Sequence, residues 1–453
     1  MRQLLGSYGD VFSDTPGTTH WMEHEIKVTD EIPCYQAPYR EPEAMRDAVE
    51  KELTKMLDLG IIQYDYNTTY NSPLVIVKKP DQSIKLCNNF INLNRKSLNE
   101  QYPMVNPNEL LNRAAGFKYV SKIDLGMAYF QCLLSPNSRR YTGFQTFMGS
   151  FVYRKLPLGL KCASATFQRL MDKVLKGMHR FAGTLLDDTL IYSTTFPDHL
   201  DHVRQVLDRL REAGLTAKKA KCHFASNRMR VFGHQLIDGL IYPDEDKVAV
   251  IAAWKPPKTK RELKSFLGMV SYFRDHLPRF AAIAYPLTES LGKTKPDKLI
   301  WTEDRLQAFE TLRTALMSRP VLKPPDVTKP YRIMCDASRT AISAILMQPG
   351  DADNETEHVV CYSSRKLTET ERKFATIELE LLAIIFALQK FRNIILGCPI
   401  KIFTDHRPLL WLDSLVKHSG RLARWALKLQ EYDITTTYVK GRDQLADHLT
   451  RLP

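Results

Sequence analysis

Two adjacent carboxylates between two short apolar runs constrain this chain more than any other feature. In TLLDDTLIYS, Asp187 and Asp188 stand between the apolar runs 185–186 and 190–192. This pattern predicts a β-hairpin with both acids at its tip, and the lack of a glycine there implies backbone strain. An earlier strand-like run, YVSKIDL, places a third acid, Asp124, near its end. A lone Asp-Asp pair is most often a solvated turn, so the rest of the sequence must decide.

A second group of acids occupies the last quarter of the chain. YRIMCD alternates as a strand does and ends in Asp336, and KIFTD ends another strand-like run in Asp405. The segment DQLADHLTRL predicts a final helix that carries Asp447. Each of these acids taken alone is more often a surface residue than a ligand, so their common order is what points to a site.

A long helix is predicted between those two strands. Thr368 and Glu371 have the T-x-x-E spacing of a capping box, which predicts that the helix begins there. Its apolar residues lie on one face of the helix, and both Glu378 and Glu380 lie beside that apolar face. The pattern alone leaves the choice between these two acids open.

Composition narrows the class of protein. The 453 residues are 44% hydrophobic and 25% charged, which is typical of a folded globular chain. The longest apolar run, 381–388, is far shorter than the ~18 residues of a membrane helix, so no membrane span is expected. The N-terminal segment has no hydrophobic stretch of signal-peptide length, so secretion is not expected either. Eight cysteines include no C-x-x-C pair, which disfavours zinc fingers and disulfide scaffolds and suits a reducing compartment. The formal charge of +13 fits a polyanionic partner such as nucleic acid, or simply a basic surface.

The pattern divides the chain into four parts. Residues 1–57 form a lead-in that ends in a helix over 41–59, and 58–238 alternate strand-like and helical patterns. Residues 239–328 include the basic amphipathic segment 255–280, net +5, followed by a proline-rich connector. A fresh strand pattern then opens a separate domain at 329–453.

Several segments in this order resemble a known family. SKIDLGMAYFQ, LPLGLKCASATFQRLMDKVL and LLDDTLIYS are similar to the shared catalytic blocks of reverse transcriptases, and the acids of the last domain stand in a pattern similar to RNase H. Together they resemble the Pol polyprotein of gypsy-type, retrovirus-like LTR retrotransposons. The resemblance implies an α+β fold: a right-hand polymerase with fingers and palm in 58–238, thumb and connection in 239–328, and an α/β RNase H-like domain in 329–453.

The resemblance also implies a function and its metal ions. It predicts an RNA-directed DNA polymerase with RNase H activity, which copies retrotransposon RNA into DNA and degrades the RNA of the hybrid by two-metal phosphoryl transfer. Two Mg²⁺ ions are expected at each active site, with Mn²⁺ as the alternative. The acids expected to be catalytic and to bind these ions are Asp124, Asp187, Asp188, Asp336, Glu380, Asp405 and Asp447. Glu380 is preferred to Glu378 because the family pattern reads E-L-x-A.

The remaining site residues rest on the resemblance and on the basic pattern. The resemblance places Lys79 and Lys85 on the incoming triphosphate, and Tyr129 against the sugar, where it rejects ribonucleotides. Further residues are expected to bind nucleic acid, three at the primer end and three on the phosphates of the duplex: Phe232, Gly233 and His234, then Lys260, Arg261 and Lys264. The structural alternatives are that the two lysines are solvated surface residues, that Tyr129 belongs to the core, and that residues 232–234 only pack a turn.

Four positions depart from the family pattern. Leu185 stands where the family has Tyr, Lys85 where it has Arg, Asn89 where it has Asp, and Ile91 where it has Arg. The terminal motif at 441–447 is one residue short and lacks its Asn. These changes support an alternative function, a catalytically weakened, element-derived protein that binds nucleic acid, or an unexpressed relic.

The resemblance also implies partners and a location. An RNA template, a DNA primer, the RNA–DNA hybrid and deoxynucleoside triphosphates are expected, with a dimer or other Pol and Gag products of a virus-like particle as further partners. The expected location is intracellular, in cytoplasmic particles or in the nucleus. The sequence has no D-[ST]-G protease motif and no integrase zinc arrangement, so we interpret it as a processed product or a truncated genomic copy.

Overall fold

The computed structural model describes residues 1–79, 82–350, 357–404 and 421–439, without the side chains of 421–423 and 426. The chain divides into two compact units, Met1–Asn227 and Arg228–Pro453. Asp405, Asp447 and the predicted final helix lie outside the described residues. Within the described ranges, no helix has the length and apolar character needed to cross a membrane.

The first unit combines short sheets with helices. Its helices are α1 (Arg2–Gly6), α2 (Arg46–Asp58), α3 (Ile91–Lys96), α4 (Pro107–Ala115), α5 (Pro136–Arg139), α6 (Ala163–Val174) and α7 (Phe196–Glu212). Its strands are β1 (Thr19–His24), β2 (Ile62–Tyr64), β3 (Leu74–Lys78), β4 (Ile84–Asn88), β5 (Tyr119–Asp124), β6 (Cys132–Leu134), β7 (Phe144–Thr146), β8 (Gly149–Tyr153), β9 (Ala182–Leu185), β10 (Asp188–Ser193) and β11 (His223–Ser226). A single 3₁₀ turn, Lys219–Lys221, follows α7.

A four-stranded antiparallel sheet in the order β11-β5-β10-β9 carries the first group of acids. Ile123 of β5 packs into a buried core with Phe167 of α6 and Leu207 of α7. Side chains alternate along a strand, so Lys122 and Asp124 project from the opposite face of the same strand. The helices therefore cover one face of the sheet and leave the acidic face uncovered by that core.

The predicted lead-in helix forms α2. It begins at Arg46, after a 3₁₀ turn at Glu43–Met45, and its buried residues Val49, Leu53 and Met56 recur at helical spacing. These side chains join a second core that also contains β4 and β8. The hairpin of β3 and β4 forms a separate two-stranded antiparallel sheet.

The second unit begins with a small sheet and ends with a larger one. Its helices are α8 (Glu245–Ala252), α9 (Lys260–Ser271), α10 (Phe280–Ile283), α11 (Tyr285–Glu289), α12 (Glu303–Met317), α13 (Thr376–Ile395) and α14 (Arg421–Leu429). Its strands are β12 (Arg228–Val231), β13 (His234–Ile237), β14 (Leu240–Pro243), β15 (Tyr331–Ala337), β16 (Ala341–Pro349), β17 (Glu357–Lys366), β18 (Ile400–Thr404) and β19 (Ile434–Tyr438).

The larger sheet is mixed, in the order β17-β16-β15-β18-β19. Strands β15, β16 and β17 pair antiparallel, whereas β18 is parallel to both β15 and β19. All nine residues of β16 are buried, as expected for a central strand covered on both faces. Helix α13 packs its apolar face on β15 and β16, so the sheet and this helix share one core.

The predicted start of the long helix is wrong by seven residues, because its N-cap is Ala375 and not Thr368. Thr368 and Glu371 do exchange the two hydrogen bonds of a capping box, but these enclose only the 3₁₀ turn Glu371–Lys373. Helix α13 begins at Thr376, where the Glu378 carboxylate accepts the Ala375 N–H at 3.0 Å. The chain therefore makes one capped turn first, and a second acid caps the long helix.

A buried polar chain supports the acidic sheet from its helical side. Ser121 Oγ of β5 contacts His199 Nε2 of α7 at 2.7 Å, and His199 Nδ1 contacts Ser193 Oγ of β10 at 2.9 Å. Burial, and to a lesser extent the charge of the neighbouring His202, lowers the pKa of His199 to about 4. The neutral imidazole thus links two strands to the helix behind them.

This lowered pKa predicts a specific acid sensitivity. Between pH 6.5 and about pH 4 the unfolded chain takes up a proton on His199 that the folded chain does not, so stability falls as pH falls. We expect His199→Gln to be less stable at pH 7, because a buried hydrogen bond is lost. The same substitution should reduce the slope of unfolding free energy against pH by up to about 1.4 kcal/mol per pH unit. Thermal unfolding from pH 7 to 4.5 measures it, with exposed His20→Gln as the control. An unchanged slope in His199→Gln would contradict the assignment.

Two acidic clusters as candidate active sites

The first three predicted acids meet at one end of the four-stranded sheet. Asp188 of β10 lies directly opposite Asp124 of β5 in the antiparallel register. The N–H of Leu125 donates to the main-chain carbonyl of Asp187 at 3.0 Å, which fixes the hairpin tip to the end of β5. The structure therefore brings Asp124, Asp187 and Asp188 together, as the sequence predicts.

The tip of the hairpin differs from the prediction by one residue. Asp188 already belongs to β10 and pairs with Leu185, so the two loop residues are Leu186 and Asp187. Leu186 has φ of 56°, a left-handed conformation that is unfavourable for a residue with a Cβ. Its N–H donates to Gln168 Oε1 at 3.0 Å, which holds the strained residue from the side of α6. The strain inferred from the missing glycine thus falls on Leu186.

Two lysines pair with two of these acids. Lys122 Nζ lies 2.9 Å from Asp188 Oδ1, and Lys221 Nζ lies 3.5 Å from Asp124 Oδ2. The pKa of Asp187 is raised, first because its carboxyl is partly desolvated and then because Asp188 and Asp124 carry the same charge. Three acids against two lysines leave the cluster with one excess negative charge.

The donor set of this cluster suits a hard divalent cation. In the described part of the chain, no group of three or more His, Cys, Asp or Glu side chains is arranged to hold a metal ion. The two ion pairs explain why the three acids do not form such a group, because Asp188 and Asp124 direct carboxylate oxygens toward lysines. Mg²⁺ prefers carboxylate oxygens, and the excess negative charge at Asp187 favours a cation. The residues therefore fit such an ion once the lysines give up their partners.

The residues predicted to contact the nucleotide lie in two places. Tyr129 is half-buried just beyond β5, with its hydroxyl 3.0 Å from Ser164 Oγ. Lys79 and Lys85 are exposed on the β3–β4 hairpin, where Lys85 pairs with Val77 across the strands. Their proposed contacts with a triphosphate stay predictions.

The residues predicted to hold the primer form a tight turn. Phe232 and Gly233 are the two loop residues between β12 and β13, with φ of 45° and 68°, as in the turns that favour hairpins. His234 is only 4% exposed, and its ring lies 5.5 Å from Tyr272 and 5.3 Å from His276. Only the loop residues of this trio therefore present appreciable surface.

The three basic residues predicted on the duplex begin α9 but differ in their contacts. Thr259 accepts the N–H of Glu262 at 3.2 Å and caps the helix. Lys260 Nζ donates to the carbonyl of Gly292 at 2.7 Å and also to that of Lys295, so this charge is engaged within the unit. Arg261 and Lys264 are exposed.

The second acidic cluster lies on the larger sheet. Asp336 is on β15, opposite Ser343 of β16, and Glu380 is on α13, which packs on the same two strands. Burial raises the pKa of the Cys335 thiol, and the nearby charges of Glu380 and Asp336 raise it further, so both acids lie close to this thiol. The structure therefore places Asp336 and Glu380 on two elements that pack against each other.

Two observations bear on the other acids of this cluster. Glu378 accepts the Ala375 N–H as a helix cap, which agrees with the choice of Glu380 as the site residue. Asp405 directly follows β18, which is parallel to and paired with β15, but Asp405 and Asp447 themselves lie outside the described residues.

Three basic partners of these acids were missed by the sequence analysis. They are Lys122 and Lys221 in the first unit and Arg279 in the second, whose Nε lies 3.4 Å from Asp336 Oδ2. Lys122 stands two residues before Asp124, so strand periodicity could have placed it on the acidic face. The other two pairs depend on tertiary contacts that no local pattern reveals.

Comparison with known families places two domains on the chain. Residues 75–236 match the family model described as reverse transcriptase (RNA-dependent DNA polymerase). Residues 326–432 match the RNase H-like domain found in reverse transcriptase. The first range contains Asp124, Asp187 and Asp188, and the second contains Asp336, Glu380 and Asp405, whereas Asp447 lies beyond it.

Curated relatives match along almost the whole chain. The Pol polyproteins of Drosophila melanogaster transposons 297 and gypsy are 34% and 32% identical over 96% and 94% of this chain. The Schizosaccharomyces pombe transposon Tf2-3 polyprotein is 30% identical over 99% of it. The chain spans 41%, 42% and 34% of these three relatives, so it corresponds to less than half of each.

Solved structures confirm the predicted fold class. The foamy viral protease-reverse transcriptase in complex with double-stranded DNA matches with a TM-score of 0.86 and 22% identity, over 97% of this chain and 78% of that one. The same viral protein in complex with an RNA/DNA hybrid matches with a TM-score of 0.78 and 22% identity, over 100% of this chain and 61% of that one. The fold is therefore that of a right-hand polymerase followed by an RNase H-like domain.

The Lys122–Asp188 pair predicts how the first cluster responds to metal. Both side chains are more than three-quarters buried, so Lys122→Met leaves Asp188 facing two acids without its counter-ion. We expect the unfolding free energy in EDTA to fall, by an amount between the ~0.5 kcal/mol of an exposed pair and the ~3 kcal/mol of a buried one. Added Mg²⁺ should stabilise Lys122→Met more than the unmodified chain. Equal Mg²⁺ shifts in thermal unfolding would contradict this view of the lysine as a counter-ion.

Proposed function

Because the chain belongs to the retrotransposon Pol family, whose members join a reverse transcriptase to an RNase H domain, we propose that it is an RNA-directed DNA polymerase with RNase H activity. It copies retrotransposon RNA into DNA and degrades the RNA of the resulting hybrid. The observation that chiefly supports this proposal is the register that sets Asp188 opposite Asp124, with Asp187 at the adjoining tip.

In the polymerase, Asp124, Asp187 and Asp188 would hold two Mg²⁺ ions, with Mn²⁺ as the alternative. When bound, such ions stabilise the charge that develops on the attacking and leaving oxygens of an in-line displacement. Lys122 and Lys221 pair with Asp188 and Asp124 and would orient both carboxylates before the ions bind.

Around these acids, other residues would bind the nucleotide. Lys79 and Lys85 are exposed cations on one hairpin and offer point charges to the triphosphate. The hydroxyl of Tyr129 forms a hydrogen bond with Ser164 Oγ, a contact that restrains the ring. A ring held in this way can crowd the 2′-position of a bound sugar and exclude ribonucleotides.

In the nuclease, Asp336 and Glu380 would hold Mg²⁺ together with Asp405 and Asp447. Carboxylate oxygens are again the donors that such an ion prefers. The RNA strand of a hybrid is the expected substrate, because its 2′-hydroxyls distinguish it from DNA.

Partners and location follow from this function. The RNA template, DNA primer, RNA–DNA hybrid and deoxynucleoside triphosphates are the proposed ligands. Support comes from the net charge of +13, and from structural relatives solved with double-stranded DNA and with an RNA/DNA hybrid. The protein would act inside cytoplasmic virus-like particles with other Pol and Gag products, or in the nucleus.

The two activities should be separable. Each acidic cluster lies in its own compact unit, so we expect Asp188→Asn to reduce primer extension on an RNA template by at least about 100-fold while hybrid cleavage persists. Asp336→Asn should do the reverse. The measurement is primer extension beside cleavage of a labelled hybrid, both by purified full-length chain with Mg²⁺. Loss of both activities from either substitution would contradict two independent sites.

The departures in the β3–β4 region favour a second candidate, a weakened polymerase that mainly binds nucleic acid. Asn89 Oδ1 accepts the N–H of Ile91 at 3.2 Å at the start of α3, and Ile91 is 55% exposed. Both side chains are uncharged, so neither position leaves an ion pair incomplete. These contacts support a folded region in which the departures from the family pattern lower the affinity for nucleotide.

The weakened affinity can be tested at Lys85. Arginine offers a planar fork that grips phosphate with two hydrogen bonds, whereas lysine offers one point charge. We expect Lys85→Arg to lower the KM for nucleotide roughly three- to tenfold in primer extension, with hybrid cleavage unchanged as the internal control. If the unmodified chain cleaves hybrids but extends no primer at millimolar nucleotide, the binding-protein alternative is correct.

Duplex binding by α9 should depend on the two exposed basic residues. We expect Arg261→Ala with Lys264→Ala to weaken binding to all duplex sequences and to lower the slope of log affinity against log salt by up to about two. Lys260→Met removes the same type of charge from a residue engaged by main-chain carbonyls, so it should change the slope little. Filter binding across a salt series gives both slopes. A slope unaffected by the double substitution would place α9 away from the duplex.

A further inference from the structure

A basic side chain from the segment before the RNase H-like domain contacts a proposed nuclease acid. Arg279 Nε lies 3.4 Å from Asp336 Oδ2, and the two side chains are 49% and 32% exposed. Arg279 precedes α10, outside the residues 326–432 that match the RNase H-like family model. The contact therefore joins a residue outside the matched domain to one of its acids.

The position of Arg279 is fixed on both sides along the chain. Before it, the guanidinium of Arg274 donates to the main-chain carbonyl of Ser364. After it, the N–H of Ala281 donates to Ser364 Oγ at 2.9 Å, and Lys366 Nζ lies 4.4 Å from the centre of the Tyr285 ring. Both Ser364 and Lys366 belong to β17, so this strand carries the segment that presents the arginine.

The backbone of Arg279 is also unusual. Its φ is 51°, in the left-handed region that glycine and asparagine adopt more readily than arginine. The same residue forms the ion pair with Asp336.

We propose that Arg279 is a positioning residue that holds Asp336 until bound nucleic acid takes the guanidinium, and so couples substrate binding to metal loading at the nuclease site. This inference rests on the proposed RNase H function. A guanidinium and a divalent cation compete for the same carboxylate oxygens, and the fixed positive charge repels a second cation. Phosphate is the alternative partner that suits arginine best, because the planar fork binds it with two hydrogen bonds.

The half-exposed geometry supports an exchange of partners. With half of its side chain open to solvent, Arg279 can reach a phosphate without the release of α10 from β17. A purely structural ion pair would behave differently, because its loss would change stability and leave metal affinity as it was.

Mn²⁺ binding to the full chain tests this proposal without relying on activity. Asp124→Asn, Asp187→Asn and Asp188→Asn together remove the donors of the polymerase cluster in every protein used. Free Mn²⁺ is measured by electron paramagnetic resonance, and binding that is lost on Asp336→Asn is assigned to the nuclease site. In this background Arg279→Gly removes the charge and also suits the positive φ, whereas Arg279→Gln removes only the charge.

Arg319 offers a matched control. It has φ of 54°, its side chain is 47% exposed, and its guanidinium lies 2.7 Å from Glu245. Arg319→Gly therefore removes an arginine of the same backbone type and the same kind of ion pair, but from an acid outside the proposed sites. Its Mn²⁺ affinity should equal that of the background protein.

Without nucleic acid, both Arg279 variants should bind Asp336-dependent Mn²⁺ roughly tenfold more tightly than the background. An RNA–DNA hybrid should raise this affinity in the background and change it little in the two variants. Equal affinities in the background and in both variants would overturn the proposal. If no protein shows Asp336-dependent Mn²⁺ binding with or without hybrid, the proposed nuclease function itself fails. Thermal unfolding of each variant confirms that it is folded.

Discussion

Repulsion among like charges is the constraint on which the rest of the first unit depends. The antiparallel register of β5 and β10 sets Asp188 opposite Asp124, and the tip of the β9–β10 hairpin adds Asp187. Three carboxylates so close together are unfavourable unless cations balance them. Lys122 and Lys221 provide that balance in part, and the pKa of Asp187 stays raised, first by burial and then by the charges of Asp188 and Asp124.

The second unit repeats this arrangement on a different sheet. Asp336 faces a guanidinium instead of an ammonium, and its arginine comes from a segment that hydrogen-bonds to β17. In both units a basic residue of the chain pairs with an acid that we propose as a metal ligand. Under the proposed two-metal chemistry these basic residues would exchange partners, a role that a description of the acids alone omits.

Much of the fold and of the acidic sites was predictable from the sequence because it is encoded locally. Strand periodicity placed Asp124 near the end of a strand, motif order grouped it with Asp187 and Asp188, and the fold class is confirmed. The hairpin tip was misplaced by one residue because ladder pairing with Leu185, not turn composition, decides where β10 begins. The start of α13 was missed because its cap is Glu378. The pairs of Lys221 and Arg279 are tertiary contacts between distant segments, and local patterns contain no signal for them.

The central claim is that the acids of the first unit form a metal site held ready by basic residues. Anomalous X-ray diffraction from crystals of the full chain soaked with Mn²⁺ tests it most directly. The account predicts anomalous density bounded by the carboxylates of Asp124, Asp187 and Asp188, with Lys122 Nζ displaced from Asp188. Absence of this density at saturating Mn²⁺, with the Lys122–Asp188 contact intact, would contradict it.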